Sequence, residues 1–152
     1  MIAFLDNRAY LQTFKYEFTI VNYSGASNLK LQIIQPQEIE VFYILPAIRS
    51  RMAHALKEQG LRQKEIAGLL CVQESTVSQY INSKRASDVK FNSAIDKEIG
   101  AAVKRIKSKE DLIRETQRIL VMAKEEKILC SVHKSVADIP AACDVCFYHN
   151  KS

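Results

Sequence analysis

Residues 61–85, LRQKEIAGLLCVQESTVSQYINSKR, constrain the fold more than any other stretch of the chain. Ile66 and Leu70 stand one helical turn apart, and Val77 is followed at helical spacing by Tyr80 and Ile81. Only Cys71, Val72 and Gln73 lie between the two halves. The pattern predicts one helix over Gln63–Leu70 and a second over roughly Glu74–Asn82, joined by a tight turn. Ile66 and Leu70 would face inward from the first helix, Val77 and Tyr80 or Ile81 from the second. Val72 would plug the corner. Ala67 falls where the two helices cross, and a larger side chain there would push them apart.

This packing leaves Gln73, Glu74, Ser75, Thr76, Ser78 and Gln79 available to solvent or to DNA. Glutamine can bond adenine bidentately, and serine or threonine can reach bases or phosphates in the major groove. Lys84 and Arg85, just past the second helix, suit backbone phosphate, which positions a protein without reading sequence. The charge agrees. Between Ala47 and Lys90 lie Arg49, Arg51, Lys57, Arg62, Lys64, Lys84, Arg85 and Lys90 against Glu58, Glu65, Glu74 and Asp88, so most of the net +5 sits here.

The flanks extend the helical reading. Glu38–Leu45 (EIEVFYIL) reads as a short extended run after the Pro36 boundary. Pro46 can open a helix, since proline in a first turn loses no hydrogen bond. Leu45, Ile48, Met52, Ala55 and Leu56 follow at helical spacing, and Gly60 supplies the stop. This helix would brace the next two. Downstream, Phe91, Ile95, Ile99, Val103 and Ile106 form one stripe to about Lys107. Ser108 to Asp111 resembles a capping box with Asp in place of Glu. Leu112, Ile113, Thr116, Ile119, Leu120 and Ala123 continue on one face to about Lys127. Both stripes are readable as intramolecular core or as the seam of a homodimer. Residues 1–38 form an extension in which Tyr16–Val21 and Leu29–Ile34 alternate like the strands of a β-hairpin. A loosely ordered segment is the other reading.

From Ile128 the composition changes. Cys130-x2-His133 and Cys143-x2-Cys146 make two chelating pairs in the tail 128–152, where residues 130–149 have too few apolar side chains to fold unaided. A two-residue spacer lets both members of a pair address one ion across a turn. Three thiolates and one imidazole are a common closed shell for structural zinc. The same residues could hold an iron–sulfur cluster and sense iron, oxygen or redox state. Free cysteines are the bland alternative. His149 could replace His133, although the His133 spacing mirrors the second pair.

The chain lacks an apolar run of membrane-spanning length and a secretory start, so the expected location is the cytoplasm, where thiols stay reduced. No phosphate loop or nucleophile motif appears, and with only four glycines that argues against an enzyme; no catalytic residue is assigned.

QKEIAGLLCVQESTVSQYINSKR resembles the DNA-binding module of lambda-repressor-type (XRE-like) helix-turn-helix transcriptional regulators, and EIEVFYILPAIRSRMAHALKEQG sharpens the match. With the Cys/His cluster, about residues 37–147 are similar to a group of predicted prokaryotic, mostly archaeal, regulators. The resemblance implies a recognition helix over the residues following the turn. Two departures stand out. The turn usually holds glycine where this chain has Cys71, because a left-handed backbone suits that residue. Arg62 and Gln73 occupy cap positions that usually hold Ser or Thr. The expectation is a mainly α protein: extension 1–38, helix-turn-helix domain 39–90, helical linker or dimerisation region 91–127, and a metal-binding tail. It would bind double-stranded DNA as a homodimer. The competing reading is an antitoxin-like or adaptor protein that uses the same helices to hold a protein partner.

Overall fold

The computed structural model describes residues 35–82 and 89–146. The expected hairpin, Lys84, Arg85 and His149 lie outside them. Among the described residues the chain is mainly helical, with no strand. The order is α1 (Pro36–Ile39), a π-helical turn (Glu40–Ile44), α2 (Leu45–Glu58), α3 (Gln63–Leu70), α4 (Glu74–Ile81), α5 (Ser93–Arg105), α6 (Lys109–Glu125) and α7 (Ile128–Val136).

Glu38–Leu45, expected to be extended, is helical instead. Its apolar residues misled because their spacing is irregular. Ile39, Ile44, Ile48 and Met52 are all fully buried, and the first step among them is five residues. An α-helix would carry Ile44 off the inward face. The π turn, with more residues per turn, restores it. The N–H of Leu45 donates to the carbonyl of Glu40, the five-residue step of a π-helix. Pro46 stands in the first turn of α2, as expected, while Pro36 opens the helical run that precedes it. Pro46 follows the π turn within a continuing helix, where its ring would otherwise press on the carbonyl four residues earlier. Widening the helix immediately upstream relieves that crowding.

α2 is the hub of the core. It packs against α3, α4, α5 and α6, so it braces more than the two helices expected of it. Ala47, Ile48, Met52, Ala53 and Leu56 are buried along it. The helix stops as a Schellman motif: Gly60 donates to Lys57 O at 2.9 Å and Leu61 to Leu56 O at 3.2 Å. Gly60 has φ +88°, and nothing lies within 4 Å of where a Cβ would be, so backbone conformation alone calls for glycine here.

The stripe Ile95, Ile99, Val103 and Ile106 of the α5 region is buried, with Phe91 packed partly against it. On α6, Leu112, Thr116, Ile119 and Ala123 are buried. These side chains are taken up in the core of the chain itself, as the intramolecular reading required. Ile113 departs from its stripe and is 63% exposed. It follows Leu112 by one position, about 100° around a helix, and that rotation carries it off the inward face.

α6 begins with the expected capping box. Asp111 N–H donates to Ser108 Oγ at 3.1 Å, and Ser108 N–H to Asp111 Oδ2 at 3.1 Å. Backbone N–H groups at Lys107 and Ser108, with the hydroxyl of Ser108 and Arg114, hold the Asp111 carboxyl below its usual range. α5 starts on Asn92, whose Oδ1 accepts from Ile95 N–H at 3.0 Å while Nδ2 donates to Glu126 at 2.7 Å. The first part of the tail is also a helix. α7 packs on α6, α1 and the π turn, and Leu129 is 2% exposed within the common core. The chain turns into it at Lys127, in left-handed conformation at φ 56°.

Candidate nucleic-acid interface and metal-ligand cluster

α3 spans Gln63–Leu70, as predicted, with Ile66, Ala67 and Leu70 buried. Val72 is partly buried against the core beneath the turn. Cys71 adopts the left-handed conformation that glycine would favour, at φ 51° and ψ 43°. Its N–H donates to Gly68 O at 3.4 Å, and that of Val72 to Ala67 O at 3.1 Å. This is the same Schellman closure as at Gly60, made here by a residue that carries a Cβ.

Neither helix has a side-chain cap of the usual kind. At the start of α3, Glu65 reaches back instead: its carboxylate accepts the Arg62 N–H at 2.8 Å and the guanidinium at 3.1 Å. Arg62 cannot return the favour, because a guanidinium accepts nothing. Its side-chain and backbone donors hold the Glu65 carboxyl below the usual range. Gln73, before α4, makes no capping bond.

α4 buries Val77 and Tyr80. Gln73, Glu74, Ser75 and Gln79 are exposed on its other side, and Thr76 and Ser78 are half-buried. Asn82 Nδ2 donates to Ser78 Oγ at 3.3 Å, so that hydroxyl is already engaged. Charged side chains border the unit: Arg62 and Lys64 on one flank, and Arg51, paired with Asp96 at 3.6 Å, on another.

One residue that the sequence reading missed holds this unit in place. His54 of α2 lies 3.1 Å through Nε2 from the carbonyl oxygen of Tyr80. A carbonyl only accepts, so Nε2 carries the hydrogen. The contact secures a carbonyl of the last turn of α4, where helices leave such groups without internal partners. An apolar stripe carries no sign of it, because His54 stands off the stripe of its own helix.

At the other end of the chain, Cys130, His133, Cys143 and Cys146 line one small cavity with Lys134, Ile139 and Val145. Cys130 and His133 share a face of α7 and are not set across a turn as expected. Cys143 follows a turn closed by its N–H on Pro140 O at 3.0 Å. Lys134 Nζ donates to the carbonyl of Ala141 and so ties this segment to α7. His133 is only 8% exposed, and its Nε2 is buried without a hydrogen-bond partner among the described residues. A buried polar atom left so costs about 1–3 kcal/mol. Burial pushes the Cys130 thiol up, and Cys146 and Cys143 add to the effect, opposed by Lys134 and Lys127. Among the described residues no group of three or more His, Cys, Asp or Glu side chains is already closed enough to hold an ion.

No curated protein and no solved structure matches the chain. A family model does: the one described as helix-turn-helix matches residues 52–95, from the middle of α2 through α3 and α4 into α5. Residues 52–95, which contain the turn at Cys71 and the outward face of α4, match the lambda-repressor-type (XRE-like) helix-turn-helix family.

Proposed function

We propose that the protein is a sequence-specific DNA-binding transcriptional regulator that works in the cytoplasm as a homodimer on double-stranded DNA and carries a metal in its tail. The observation that carries this reading is the division of α4: Val77 and Tyr80 are sunk in the core while Gln73, Glu74, Ser75 and Gln79 stand outside. An eight-residue helix braced by α2 and α3 presents its polar side as one surface. Gln73 and Gln79 read bases, Thr76 and Ser78 make shorter polar contacts at its edge, and Lys84 and Arg85 supply phosphate contacts. One such unit touches few base pairs, so a pair of half-sites about one helical turn apart completes a specific site. The metal ligands are Cys130, His133, Cys143 and Cys146. Structural zinc and an iron–sulfur cluster both use this donor set.

The test is selection of a binding sequence from random duplex DNA, followed by titration at several salt concentrations. Specific affinity falls as salt rises, because bound phosphates release counterions. Gln73→Ala with Gln79→Ala lowers it by at least about tenfold at the selected site, since each lost base contact is worth about 1–3 kcal/mol. Unchanged affinity in the double variant would show that α4 is not the reading helix. Failure to select any sequence, together with salt-insensitive capture of a protein, would favour an adaptor.

A further inference from the structure

We infer that Cys130, His133, Cys143 and Cys146 enclose one tetrahedral zinc-type ion, bound by His133 through Nε2, which fastens segment 137–146 onto α7. The inference rests on the metal reading above and decides between a single ion and a cluster. Three observations support it.

The first is the orphaned nitrogen. His133 lines the cavity together with the three cysteines, and its Nε2 is buried with no hydrogen-bond partner among the described residues. A neutral imidazole nitrogen there has a lone pair to give, and a metal ion takes it. The second is the donor set. Three thiols and one imidazole line the same cavity. They match a common closed shell of structural zinc, whereas iron–sulfur clusters are held mainly by four thiolates. Cys130 and His133, three apart on a helix, share one face of it.

The third observation is charge. Three thiolates, one neutral imidazole and a divalent ion leave one negative charge. Lys134 lines the same cavity and is held there by its bond to the Ala141 carbonyl. Its ammonium stands beside the ligands and offsets that charge, and such neighbours tune affinity. Ile139 and Val145 form the apolar remainder of the wall.

The experiment uses the full chain, purified anaerobically and reduced, then stripped of metal and titrated with cobalt(II) as the probe. The expected result is one cobalt per chain, with the strong visible bands of tetrahedral cobalt and a thiolate charge-transfer band, both erased by one equivalent of zinc. His133→Gln binds cobalt at least about tenfold more weakly, with an altered spectrum. His133→Cys restores tight binding of one ion by four thiolates, which separates lost ligation from lost folding. Far-UV circular dichroism of each variant verifies the helices. An unchanged cobalt spectrum in His133→Gln would overturn the assignment of that ligand. Brown protein containing iron and acid-labile sulfide would overturn the single ion and keep the metal-bearing tail. No stoichiometric metal in folded, DNA-binding protein would remove both inferences about the tail and leave the helix-turn-helix reading standing.

Discussion

Cys71 holds a backbone conformation that an L-residue adopts at a cost of about 1–2 kcal/mol. The Schellman bonds from Cys71 and Val72 require it, so the strain is built into the turn that sets α3 against α4. Cys71→Gly should therefore stabilise the fold by about 0.5–1 kcal/mol, less than the full strain because glycine loses more freedom on folding. Chemical denaturation measures this, and a destabilised variant would mean that the thiol contributes packing that its exposed position does not suggest. This conformation was legible from the sequence through its resemblance to regulators whose turn usually holds glycine there. His54 was not, since one histidine on a helix gives no hint of a carbonyl 26 residues away. His54→Ala should weaken specific DNA binding by roughly fivefold, the equivalent of one hydrogen bond of about 1 kcal/mol. His54→Gln, which can donate to the same carbonyl, should recover part of it. Equal affinities across the three proteins would reduce His54 to filler.

Helices α5 and α6 are joined by an ion network in addition to their apolar stripes. Arg105 donates to Glu98 at 2.6 Å and to Glu115 at 2.6 Å, and Arg118 lies 3.6 Å from Glu98. Glu115 is 6% exposed, so its carboxylate depends on this partner. The Arg105 guanidinium holds the Glu115 carboxyl below the usual range. A depressed carboxyl stabilises the fold at pH above its unfolded value, about 4.3, and that contribution disappears as pH falls through the lower folded value. Glu115→Ala should cost about 1–2 kcal/mol near neutral pH, a modest figure because the Arg105 side chain is 39% exposed and water screens the pair. Thermal melts from pH 7 downward should show the gap from the parent protein closing in acid. A constant gap would assign the loss to packing. The apolar half of this contact could be read from the stripe of α5. The ionic half could not, because Arg105 and Glu115 sit ten residues apart on two helices whose crossing no local pattern specifies. The π turn is the reverse case: its five-residue step from Ile39 to Ile44 is visible in the sequence, but it disguises a helix as an extended run.

The tail belongs to the same core as the helix-turn-helix. α7 packs on α1 and the π turn, these lead directly into α2, and α2 carries both the brace and the His54 contact to α4. Low apolar content in 130–149 suggested a segment dependent on metal. Burial also contributes: Leu129, just before that stretch, and Ala137 within it are 2% and 1% exposed. The arrangement separates two roles for the tail, one performed by α7 through burial and one by the Cys/His donors through ligation. Leu129→Ala probes the first. Removing a fully packed leucine costs about 2–5 kcal/mol, depending on how far the site collapses. Because α7 and α2 share one core, the loss should appear in the unfolding of all the helices as a single shifted transition followed by far-UV circular dichroism. Specific DNA binding should fall only near the new transition. Two separate transitions, with the midpoint of the DNA-binding unit unmoved, would show that α7 is an appendage and that the route from the tail to α4 carries no stability.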